Sequence, residues 1–169
     1  ALFAEYDRAD APGCAIGIVS QGKLIFSKGF GSANLDHEVA NTPQTVFEIG
    51  SFAKSFTCAC MAILLDQGKI SPDDDLRRYV PEMHEFEPPV RIRHMIRCRS
   101  GIWAQWHIAQ LAGWYAEPTE TPYSQNDLLT LLSGQKTLPF EPGSQFSYST
   151  GDYFLMGIIV ERVTGLTLA

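Results

Sequence analysis

The sequence predicts an α+β chain in which a β-hairpin of an antiparallel sheet leads into a mostly helical region. Two observations carry this. Short apolar runs flank a turn signal near the N-terminus, and from residue 52 onward apolar residues recur at helical rather than alternating spacing. A succession of helix-start and helix-stop residues then divides the second region into several short helices.

Residues 14–19 (Cys-Ala-Ile-Gly-Ile-Val) form the first strand, after Pro12-Gly13. Ser20-Gln21-Gly22-Lys23 is the turn, and Leu24-Ile25-Phe26 opens the second strand. Gly29 and Gly31 predict a bulge or a close backbone approach near its end. Two strands alone make a poor sheet, so the hairpin must pack on helices or be completed by strands beyond residue 169. Thr42 to Gly50 reads as a connection. Phe52, Phe56, Ala59 and Ile63, widened by Cys60 and Leu64, then form the inward stripe of a helix that stops at Gly68. Ser71-Pro72-Asp73-Asp74-Asp75 reads as another helix start, its aspartates complementing the dipole at the surface. Pro88-Pro89 breaks the chain. A short helix follows, carrying Ile92, Met95 and Ile96 inward and ending at Ser100-Gly101. Its basic residues (Arg91, Arg93, His94, Arg97, Arg99) are expected on a solvated face. Residues 113–123 read as a loop, Ser124 to Asp127 as a helix-start box, and Asp152 to Thr164 as a final apolar helix.

Composition narrows the function classes. The 169 residues suit about one domain of ~100–200 residues. With 45% hydrophobic and 19% charged residues the chain is not disordered, and a net charge of −6 argues against a nucleic-acid partner. The longest apolar stretches, such as Met61 to Leu65, are too short to span a bilayer. Cys58 and Cys60 fall about 200° apart on one helix and cannot bridge each other. Four reduced, mostly packing cysteines lean toward a cytoplasmic, reducing compartment, with a periplasmic or secreted location open if a signal peptide has been removed. The four histidines show no metal-ligand spacing and no glycine-rich loop cradles a phosphate, so no metal or cofactor is expected.

The chemistry is carried by Ser51 and Lys54. Three residues apart at a helix start, they share one face, so the lysine amine can reach the serine hydroxyl. The positive end of the helix dipole favours a developing alkoxide, and an amine beside a serine is a known way to activate that nucleophile. The plain alternative makes Ser51 a helix cap and Lys54 an exposed first-turn residue, although a lysine there opposes the dipole.

Thr45-Val-Phe-Glu-Ile-Gly-Ser51-Phe-Ala-Lys54-Ser-Phe-Thr57 resembles the nucleophile motif of the serine β-lactamase and penicillin-binding-protein superfamily, and most of all its class C β-lactamase-related branch of esterases and D-aminopeptidases. The hairpin, Asp66 to Asp74 and Ser100-Gly101-Ile102 are similar to further segments of that branch. Phe140 to Ser149 is similar to the stretch leading into its Tyr-x-Asn motif. The resemblance implies a β-lactamase/transpeptidase-like fold and makes 1–169 the N-terminal portion of a single serine-hydrolase domain. Residues 1–49 would be the sheet-forming part and 50–169 the helical part, with later strands missing. It also implies a third catalytic group, Tyr148, relaying a proton between Ser51, Lys54 and the leaving group, and a substrate-binding role for Thr150, which stands where the motif has Asn. Threonine has one donor where the amide has two, which weakens the case for strong β-lactamase activity. Cys98-Arg99 replace the family's His-Thr pair. Lys136-Thr137-Leu138 precedes Tyr148 and lacks a following Gly, so it is not the third motif, Lys-Thr-Gly or His-x-Gly.

The expected activity is acyl-enzyme hydrolysis of esters or amides, including D-amino-acid peptides or β-lactam-like compounds, with a small-molecule or short-peptide substrate as partner. The alternative is a catalytically silent ligand-binding or assembly protein of the same fold, supported by Thr150 and Cys98-Arg99. Trp103, Trp106, Trp114, Tyr115 and Tyr123 would pack ordinarily or, as the less favoured expectation, line a pocket for an apolar or aromatic substrate.

Overall fold

In the first 50 residues the backbone is organised by turns. A computed structural model describes residues 2–113 and 123–168 of the chain, which divides into two compact units, Ala1–Gly50 and Ser51–Ala169. In the first unit, β1 (Cys14–Ser20) pairs antiparallel with β2 (Lys23–Phe30). Gln21 and Gly22 both take positive φ, 49° and 73°, as the favoured two-residue hairpin turn requires. The ladder's irregularity lies between Ile18 and Val19, not at the glycines. Gly29 instead serves close approach: a Cβ there would lie 2.0 Å from the Asn41 carbonyl oxygen. Buried Asn41 secures the contact by donating from Nδ2 to the Phe30 carbonyl at 2.9 Å.

A second antiparallel pair follows, β3 (Ser32–Asn34) with β4 (Val39–Ala40). The sequence reading did not separate it. Its turn is closed by Asn34 Oδ1, which accepts from the His37 N–H at 2.9 Å, and by Glu38 in the left-handed region.

The second unit is helical. A 3-10 turn (Gly50–Ala53) runs directly into α1 (Lys54–Asp66). The face that α1 buries differs from the expected stripe. Met61 and Leu64 are buried, with Cys60 and Leu65 packed beside them, whereas Phe52, Phe56 and Ile63 are exposed. Apolar residues surround much of this helix, so periodicity alone does not choose the inward side. The expected helix at 71–75 is absent. Asp75 caps only a single 3-10 turn (Leu76–Arg78), its Oδ1 accepting from the Arg77 N–H at 2.8 Å. Leu76, Val80, Met83 and Val90 still reach the core, but Pro81 and Pro88-Pro89 forbid one continuous helix through them. The aspartates are not simply solvated either. Asp74 accepts from Tyr79 Oη at 2.6 Å, and burial with this carboxylate pushes the phenol up to about 12. Asp73 pairs with Arg93, and its carbonyl takes Arg91, so part of the basic cluster is engaged rather than free.

Helices α2 (Ile92–Ile96), α3 (Gln105–Leu111) and α4 (Gln125–Ser133) surround α5 (Thr150–Thr164) together with α1. In α4 the helix-start box forms as expected: Ser124 Oγ accepts from the Asp127 N–H at 3.2 Å and Asp127 Oδ2 from the Ser124 N–H at 2.9 Å. Helix α5 buries six consecutive residues, Leu155 to Val160, which makes it the central element of the unit. Ser149 caps its start, and Gly165, at φ 72°, ends it. Near that end Arg162 grips Glu82 through two hydrogen bonds of 2.9 and 2.6 Å and lowers its pKa. Truncating the fully buried Leu155 to Ala is expected to cost about 3 kcal/mol of unfolding free energy, read from the midpoint of urea denaturation.

Candidate active site

Ser51 lies in the 3-10 turn and Lys54 is the first residue of α1, so helical geometry sets them on one face. The Lys54 ammonium donates to Ser51 Oγ at 3.1 Å. Tyr148 arrives from 97 residues further along the chain and donates from Oη to the same oxygen at 2.8 Å. The segment before it is tied down by backbone bonds from the Gly143 N–H to the Arg99 carbonyl at 2.7 Å and from the Ser147 N–H to the Cys98 carbonyl at 2.9 Å. Tyr148 directly precedes the cap of α5, so the buried helix fixes where its half-exposed ring stands. The Lys54 amine lies 5.1 Å from the centre of that ring. The Lys54 ammonium, and secondly the Ser51 hydroxyl, hold the Tyr148 phenol below its usual range. The three sequence-predicted catalytic residues therefore share one hydrogen-bonded cluster.

Thr150 does not enter it. Its hydroxyl donates to Gln105 Oε1 at 2.9 Å, and Gln105 is itself buried. Sequence reasoning missed this pairing, because Gln105 looks like any polar residue at a helix start. It also missed the polar group behind the site. Asp152 is completely buried; its Oδ1 accepts from Ser100 Oγ, and its backbone N–H donates to Ser149 Oγ at 3.3 Å. Ser100 Oγ in turn accepts from the Ile102 N–H at 2.9 Å. Asp152 Oδ2 has no partner among the described residues, and burial pushes this carboxyl well above the usual carboxylate range. In the sequence Asp152 passes for an ordinary first-turn acid. Cys98 is buried, takes a left-handed φ of 50°, and burial raises its thiol pKa.

Beside Tyr148 a cleft of about 390 Å³ opens between Trp103, His107, Phe140, Gln145 and Phe146. Among the described residues of the expected aromatic cluster, Trp103 lines it, whereas Trp106 and Tyr123 do not; Trp114 and Tyr115 lie outside the described residues. Among the described residues no histidine, cysteine or carboxylate group is arranged to hold a metal, and no helix is long and apolar enough to cross a membrane.

Comparison with known proteins bears on the family and the fold. The Beta-lactamase family model matches residues 1–169. A D-aminopeptidase of Gluconobacter oxydans is 29% identical over 163 residues, 96% of this chain and 30% of that protein. A D-aminopeptidase of Brucella anthropi is 31% identical over 157 residues, 93% of this chain and 29% of that protein. The chain thus spans about 30% of the length of the curated relatives it matches. The octameric penicillin-binding protein homologue from Pyrococcus abyssi superposes with a TM-score of 0.78 at 29% identity, over 94% of this chain and 36% of that one. EstCE1, a hydrolase with promiscuous acyltransferase activity, superposes with a TM-score of 0.80 at 23% identity, over 92% of this chain and 43% of that one, a likeness of fold.

The buried Asp152 sets a pH dependence. Its folded pKa lies above its unfolded one, so its contribution to stability is lost as pH rises from about 4 toward the raised value. Asp152→Asn is expected to remove a slope of up to about 1.4 kcal/mol per pH unit, so that the variant gains on the wild type with rising pH in denaturation at a series of pH values.

Proposed function

We propose that this chain, which belongs to the beta-lactamase family, carries the nucleophile and the proton-handling groups of a serine acyl-hydrolase. The observation behind this reading is the pair of hydrogen bonds that meet on Ser51 Oγ, 3.1 Å from Lys54 Nζ and 2.8 Å from Tyr148 Oη. On this reading residues 1–169 are part of a single serine-hydrolase domain.

Ser51 Oγ attacks the carbonyl carbon of an ester or amide. Its proton leaves toward the amine–phenol pair. The sequence alone suggests Lys54 as the receiving base. The Lys54 ammonium lowers the pKa of Tyr148 and so favours its ionised form as the group that takes the Ser51 proton and returns it to the leaving atom; the Tyr148 hydroxyl donating to Ser51 Oγ at 2.8 Å is the protonated form that this transfer leaves. Both neighbours also stabilise an alkoxide on Oγ as it forms. Water then attacks the acyl-enzyme by the same proton path in reverse.

The relatives named D-aminopeptidase support amides of D-amino acids as substrates, and the aromatic-walled cleft beside Tyr148 suits an apolar substituent. The commitment of Thr150 to Gln105 supports a second reading, a silent ligand-binding or assembly protein, since the substrate-binding hydroxyl is then already engaged. Turnover of a small ester panel that requires Lys54 removes that reading, whereas binding without turnover supports it.

A fluorophosphonate probe is expected to label the full-length protein at Ser51, and Ser51→Ala to abolish labelling. Equal labelling of both proteins contradicts the assignment. Tyr148→Phe is expected to lower kcat by ~10²–10⁴ in steady-state assays while leaving the fold intact.

A further inference from the structure

Lys54 has a second aromatic neighbour. Its amine lies 5.6 Å from the centre of the Tyr153 ring, on the first turns of α5, as well as 5.1 Å from the Tyr148 ring. Both distances fall within the range at which an ammonium is attracted to the negative face of an aromatic ring. Among the described residues no carboxylate contacts Lys54; Ser51 Oγ is its hydrogen-bond partner. The Tyr153 ring is itself held. Cys58, one turn beyond Lys54 on the same face of α1, places its Sγ 3.5 Å from Tyr153 Oη. The part-buried Tyr153 therefore spans from α5 to α1, its hydroxyl end at Cys58 and its ring at Lys54.

We propose that Tyr153 is a positioning residue for the reaction: its ring, with that of Tyr148, confines the Lys54 ammonium next to the Ser51 and Tyr148 hydroxyls. This rests on the acyl-hydrolase reading of the site. The groups that face the amine and the Tyr148 phenol are Ser51 from the turn before α1, Tyr153 from α5 and Cys98 from the loop after α2; Cys58 of α1 and the buried Asp152 of α5 act one step away, on Tyr153. The two phenols are set apart by these surroundings. Lys54 and Ser51 push Tyr148 down, whereas burial and Cys58 push Tyr153 up, so Tyr153 keeps its proton and offers only a ring and a neutral hydroxyl. Tyr153 touches no reacting atom in this arrangement. It acts through where it holds Lys54, and thus through how strongly Lys54 favours ionised Tyr148.

The test is a graded weakening of the ring face at constant shape. In the full-length protein, Tyr153→Phe and the same position filled with mono-, di- and trifluorinated phenylalanine drain the ring's negative face stepwise. The readout is the pH profile of kcat/KM on one ester, with the active fraction counted by fluorophosphonate titration. Tyr153→Phe is expected to stay within about twofold of wild type. The fluorinated series is expected to move the Tyr148 limb of the profile to higher pH in steps, up to about one unit, with about a tenfold loss of kcat/KM below that limb. A purely structural role would change the active fraction and leave the limb in place. A limb that does not move across the series overturns the proposal, as does Tyr153→Phe alone shifting it as far as the most fluorinated variant. Ser51→Ala separates the two levels: if turnover survives it, the acyl-hydrolase reading fails; if turnover needs Ser51 and the series is flat, only the role of Tyr153 fails.

Discussion

The burial of α5 is the constraint on which the site depends. Six consecutive residues of this helix are enclosed, and α1 is among the elements that pack against it. The two helices contribute complementary ends. Helix α1 begins at the Ser51–Lys54 turn, and α5 begins directly after Tyr148. Once the core has formed, a serine and a tyrosine separated by 97 residues are brought within 2.8 Å without either side chain being buried. The apolar core thus supplies the positional accuracy, and the groups proposed to react, Ser51 and Tyr148, remain exposed. This division suits catalysis, because geometry held by rigid packing does not have to be formed anew at each turnover.

Behind the exposed cluster lies a second, polar level. Ser100, Ser149 and Asp152 tie the loop after α2 to the first turn of α5. Gly151 leaves room for the Trp103 carbonyl, since a Cβ there would lie 2.3 Å from that oxygen. The loop that carries Cys98 in a left-handed conformation is therefore fixed against the helix that begins just after Tyr148. A completely buried carboxyl with one unpartnered oxygen is costly, and its raised pKa reflects a preference for the neutral form. The electrostatics of the site thus run in two directions. Near Lys54 the phenol of Tyr148 is moved toward ionisation, and in the interior just behind it Asp152 is moved away from it.

Much of this was legible in the sequence, and the limits have physical causes. The hairpin was readable because Gly22, between two apolar runs, readily takes one of the two positive-φ positions of the turn. The Ser124 helix start was readable because its cap is local and reciprocal. Ser51 and Lys54 were readable as neighbours because helical geometry alone relates them. Tyr148 was found only through the order of motifs along the chain, since no local rule predicts a contact over such a separation. The inward face of α1 was misread because apolar residues occur around most of its circumference, and the choice among them belongs to α5 and the core. The 71–75 segment was misread because a cap signal specifies a start but not a length, and the prolines that follow cut the helix to one turn. The pairing of Thr150 with Gln105 and the buried Ser100–Asp152 contact are tertiary hydrogen bonds between ordinary residues, with no pattern in sequence to announce them.

The central claim is that Ser51 becomes acylated during turnover and that the cluster around it exists for that step. The most direct measurement is rapid quench of the full-length protein with a slowly hydrolysed ester, followed by mass spectrometry of the digested protein. The account predicts an acyl adduct on the peptide containing Ser51, formed in a burst stoichiometric with active protein and decaying at the rate of turnover. Turnover without such an adduct, or with the acyl group on another side chain, would contradict it.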